Sequence, residues 1–72
     1  MKIARKISAI VKTETYYIED PVHGMLVFID YFNESDKVID SALRYQTTGE
    51  SIDDPALFNA AQDVVDSYTN KE

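Results

Sequence analysis

The stretch ETYYIEDPVHGMLVFIDYF, residues 14–32, carries the strongest structural signal in the chain. Thr, Tyr and Ile in residues 14–19, and Met, Leu, Val, Phe and Ile in residues 25–32, are the β-branched, aromatic and large apolar types that suit a pleated surface. Between the two runs lies Asp20-Pro21-Val22-His23-Gly24. Proline fixes φ near −65° and glycine tolerates positive φ, as a connecting turn requires. The spacing predicts an antiparallel hairpin with strands at about 14–19 and 25–32. The second strand is apolar on both faces, so each face needs a cover. Tyr16 and Tyr17 are neighbours and must point to opposite faces, which sends one of them toward solvent or a partner.

Upstream, KIARKISAIVK, residues 2–12, fits two periods. Ile3, Ile7, Ile10 and Val11 sit at helical spacing, while Ile3, Ile7, Ala9 and Val11 alternate as in a strand. Helix is slightly favoured, because a strand would turn Arg5 inward. Downstream, Asn33 or Ser35 can cap a helix starting near Asp36, and Val38, Ile39, Ala42 and Leu43 make its apolar stripe. Thr47-Thr48-Gly49-Glu50-Ser51 supplies the stop. Asp54 as N-cap, Pro55 at the first helical position, and Leu57, Phe58, Ala61, Val64, Val65 and Tyr68 predict a last helix. The expected fold is therefore one small α+β domain over residues 1–72. It has an N-terminal helix or strand, the hairpin, and two C-terminal helices at about 35–46 and 55–69.

Composition excludes much chemistry. The 72 residues include no Cys and one His, so thiolate, disulfide and Cys-based zinc chemistry have no ligands. His23 has only Glu19 and Asp20 near it in sequence and reads as a solvated turn residue. No serine lies in a Gly-x-Ser-x-Gly context, and two glycines, Gly24 and Gly49, cannot build a phosphate-cradling loop. Asp36/Asp40 and Asp63/Asp66 would pair on a helical face, which is too few oxygens for a hard cation. No catalytic residue, metal or cofactor is expected. The longest apolar run, residues 25–29, is far short of the ~18–20 residues of a membrane span. Residues 1–12 lack a continuous apolar stretch with a small-residue cleavage site, so a cytoplasmic location is expected.

Charge is the remaining signal. The net value of −6 hides Lys2, Arg5, Lys6 and Lys12 in the first twelve residues, followed by 13 acidic and 3 basic residues, or −10, in the other sixty. Direct nucleic-acid binding is disfavoured by that acidity. Glu34, Asp36, Asp40, Glu50, Asp53, Asp54, Asp63 and Asp66 fall in the two expected helices and their connection. There their outer faces could present carboxylates at spacings comparable to DNA phosphates to the basic nucleic-acid-binding surface of a partner protein and block it. The expected function is therefore that of a non-enzymatic inhibitor acting by DNA mimicry. Because a core of this size is marginal, a homodimer is expected, with Tyr17, Phe28, Tyr31 and Phe32 as interface residues. The alternative is a structural or regulatory subunit that joins an assembly through the apolar strand and the last helix. In size, acidity and lack of catalytic groups the chain resembles small phage-encoded proteins that inhibit a host factor, some by imitating DNA. That resemblance is one of composition and implies no residue role.

Overall fold

The computed structural model describes residues 1–9 and 12–70. Four strands, β1 (Lys2–Ala9), β2 (Thr13–Asp20), β3 (Gly24–Phe32) and β4 (Val38–Tyr45), form an antiparallel meander in the order β1-β2-β3-β4. One helix, α1 (Pro55–Asn70), follows. The hairpin of β2 and β3 is its centre, with register running from Thr13↔Tyr31 to Asp20↔Gly24. Gly24 takes φ +78 at the turn, and the side chain of Asp20 accepts the backbone N–H of His23 at 2.8 Å.

Residues 35–46 correct the expectation of a second helix. Asn33 does bind backbone N–H groups, but they belong to Ser35 and Lys37, at 2.9 and 3.1 Å, and Asp36 adopts a left-handed φ of 62°. The Asn33 N–H donates to the Lys37 carbonyl at 2.9 Å. This closes a hairpin loop instead of opening a helix, because asparagine serves either purpose with the same side-chain oxygen. β3, apolar on both faces, then gains a hydrogen-bonding neighbour on its second edge, with Phe28↔Leu43 and Ile29↔Ala42 in register. The connection after β4 folds back on its free edge. Ile52 donates to the Leu43 carbonyl at 2.9 Å and Tyr45 to the Glu50 carbonyl at 3.0 Å. Val38 and Ile39, inside the stripe of the expected helix, are instead exposed near the start of β4.

The N-terminal segment is a strand where it is described; Ile10 and Val11, which the helical spacing used, lie outside the described residues. The objection from Arg5 is met by an irregularity in register between Ile3 and Arg5. The pairings Ile3↔Ile18 and Lys6↔Tyr16 keep Ile3 and Lys6 on the side of Ile18 and Tyr16. Arg5, opposite Tyr17, goes to the other side.

The helix covers one face of the sheet. Asp54 caps it, its Oδ1 accepting the N–H of Ala56 at 3.0 Å, and Leu57, Ala61 and Val65 recur every fourth residue on the buried side. They meet Tyr16, Ile18, Leu26, Phe28 and Leu43 from the sheet. Phe28 packs against Phe58 with ring centroids 5.5 Å apart, and Tyr16 meets Tyr68 edge-on at 6.1 Å. Among the described residues no helix is long and apolar enough to cross a membrane.

Candidate functional site

The period-two alternation that puts Leu26 and Phe28 under the helix also puts Asp30 and Phe32 on that face. Val65 is the last fully buried residue of α1, and beyond Phe28 the sheet and the last turns of the helix border a cleft of about 700 Å³. Its walls are Tyr16, Phe32, Val38 and Val65, and its acidic groups are Glu14, Asp30, Asp36 and Asp66.

Asp30 is the buried member, 7% exposed. The Ser41 hydroxyl, across the β3–β4 pair, donates to Asp30 Oδ1 at 2.7 Å, and among the described residues the carboxyl accepts no other hydrogen bond. Burial raises its pKa above the ordinary carboxylate value, the Ser41 bond pulls it back, and Glu14 and Asp66 push it further up. Glu14 is engaged on both oxygens, by the Tyr16 hydroxyl at 2.9 Å and by Lys6 Nζ at 3.8 Å. Burial likewise raises the pKa of Tyr16, with Glu14 adding to the rise and Thr69 and Lys6 opposing it. At the rim Lys12 pairs with Asp36, and Gln62 donates to Asp66 Oδ1 at 3.2 Å.

A carboxyl of raised pKa in a cleft can also serve as a general acid, given a second reacting group. Here the Ser41 hydroxyl is spent on the acid itself. His23 sits at the opposite end of the β2–β3 hairpin with its Nδ1 2.6 Å from Asp20 Oδ2. That contact lowers the Asp20 pKa, as a hydrogen bond to the charged form must. Among the described residues no three His, Asp or Glu side chains gather to hold a metal ion.

The acidic residues expected on the outer faces of two helices are dispersed. Asp36 and Asp66 line the cleft; Asp40, opposite Tyr31, belongs to the other face of the sheet; Glu34 lies in the β3–β4 loop; Glu50, Asp53 and Asp54 belong to the β4–α1 connection, Asp54 as the cap. Asp63 is exposed on α1. The expected interface residues divide as well. Tyr17 and Tyr31 are on the helix-free face, whereas Phe28 is fully buried beneath α1 and Phe32 lines the cleft, because residues 28 and 32 share the inward parity. Sequence reasoning missed Glu14 and Asp30. The signal was present: Asp30 is the one charged residue at the inward positions of β3.

Compared with protein-family models, curated proteins and solved structures, the chain matches none.

Proposed function

We propose that the protein is a non-enzymatic interaction module that receives a basic segment of a partner protein in the cleft between the sheet and the C-terminal half of α1. The observation that carries this reading is the meeting of carboxylates with apolar walls: Asp30 and Asp66 beside Phe32, Val38 and Val65. A Lys or Arg side chain has that same division, an aliphatic stem and a charged head. Asp30 has acceptor capacity that Ser41 does not use, and a guanidinium or ammonium would also relieve the mutual repulsion of Glu14, Asp30 and Asp66. The net charge of −6 steers a cationic partner inward before contact. A basic surface that otherwise meets DNA is one form such a partner takes. The cleft supports the cationic character of the partner and carries no argument for phosphate-like spacing, since the acids do not share one face.

The test is fluorescence polarisation with a labelled peptide of alternating Lys and Leu, beside a Glu/Leu control of equal length. Binding of the basic peptide weakens with salt, and it falls at least tenfold in the pair Asp36→Asn, Asp66→Asn, while Asp53→Asn leaves it unchanged. Equal binding of both peptides, or indifference to the cleft pair, overturns the reading.

A further inference from the structure

The face of the sheet away from α1 is organised in rows across the strands. The register places Arg5, Tyr17, Val27 and Arg44 in one row, then Ile7, Thr15, Ile29 and Ala42 in the next; Thr13, Tyr31 and Asp40 follow in a third. The middle row is uncharged. On β4 the outward residues are Asp40, Ala42 and Arg44, a negative and a positive charge at equal offsets on either side of that row. Neither has an ionic partner among the described residues: Asp40 accepts its neighbour's Ser41 N–H, and Arg44 donates to the Gly49 carbonyl at 3.2 Å. Arg5 likewise lies over the Tyr17 ring, 4.5 Å from its centroid, and has no ion pair with a carboxylate among the described residues. On a chain of net charge −6 this face carries Lys2, Arg5 and Arg44 against Glu19 and Asp40, and Lys2 and Glu19 pair with each other.

We propose that a second copy of this chain covers this face, related by a two-fold axis running across the strands along the row of Ile7, Ile29 and Ala42. An isologous contact sets residue i on j of the partner and j on i. About that axis Arg44 of each protomer meets Asp40 of the other, twice; Val27 meets Tyr31, twice; Ile29 and Ile7 meet their own copies. Outward positions four apart on a strand lie about 13 Å apart, and packed sheets lie about 10 Å apart, a gap that an arginine and an aspartate close together. The pattern is self-complementary, which an unrelated partner has no reason to mirror. It is also where two copies of an acidic molecule approach without like charges in opposition. Four strands by three rows give a footprint of about 20 by 20 Å on each copy, about half that of a standard stable interface, so the dimer is a weak one that forms only as concentration rises. The cleft lies on the opposite face, so this inference is independent of the one above and leaves both clefts of the dimer open.

Sedimentation equilibrium over a concentration series, from about 1 μM to about 1 mM, tests it across the range in which weak interfaces form. The wild type shifts from monomer to dimer. Ile29→Lys, which sets like charges on the axis, remains monomeric with an unchanged circular dichroism spectrum. Asp40→Arg and Arg44→Asp each weaken the dimer at least tenfold, and the double variant Asp40→Arg, Arg44→Asp restores it. A monomer throughout the series, a dimer indifferent to Ile29→Lys, or a double variant no better than the single ones overturns the proposal.

Discussion

Asp30 occupies a position that the geometry of β3 assigns to the interior, between Phe28 and Phe32 in the inward alternation. A carboxylate there is desolvated, with one hydroxyl in compensation, and its pKa stands above the value it has in the unfolded chain. The folded state therefore binds a proton more readily than the unfolded state does between those two pKa values. Over that window stability falls as pH rises, and above it the cost is constant. Asparagine keeps an oxygen for Ser41 and removes the charge. Asp30→Asn accordingly melts a few degrees higher than the wild type at pH 7, the gap narrowing as pH falls toward 4; thermal denaturation at a series of pH values measures it. A lower melting temperature at pH 7 would show that the carboxylate is stabilising where it stands.

β4 is the element on which the sequence and the structure part. VIDSALRY offers apolar residues at both helical and strand spacing, and Asn33 serves as helix cap or turn residue with the same oxygen. What decides is non-local: β3 has an unpaired edge and an apolar second face, and no window of residues 33–46 contains that fact. Where the deciding contacts are local, the sequence was readable. Asp54 and Pro55 set the start of α1 and Asp20–Gly24 set the turn, because cap and turn chemistry reside in the residues themselves. Half of the cleft was readable in the same way. Asp36 and Asp66 were singled out for their charge, whereas Asp30 and Glu14 came together only through strand register. The left-handed Asp36 gives a test whose sign depends on the element. In a hairpin loop at φ 62° glycine is tolerated and alanine is strained; in the first turn of a helix alanine is favoured by about 1 kcal/mol. Both substitutions remove the carboxylate that pairs with Lys12, so that loss cancels. Asp36→Gly is expected to exceed Asp36→Ala by about 1 kcal/mol in urea denaturation, and the reverse order would restore the helix.

At the scale of the whole molecule, an excess of six negative charges acts on a domain whose principal extents are only 36 × 26 × 20 Å. Most acidic groups are therefore within a few Debye lengths of one another at low salt. The exposed ion pairs Lys2–Glu19 and Lys12–Asp36 offset little of this, since pairs in water contribute at most about 1 kcal/mol. Adding salt weakens both those attractions and the general repulsion, and with thirteen acids against seven bases the repulsion dominates. Raising sodium chloride from about 0.02 M to about 0.5 M at pH 7 therefore raises the melting temperature. Near pH 4.5, the isoelectric point of the sequence, the same addition has little effect or lowers it, because the net repulsion is gone and only the pairs are screened. Carrying out both series on the Ile29→Lys variant keeps association out of the measurement. A melting temperature that falls with salt at pH 7 would mean that specific pairs outweigh the net charge in holding this fold.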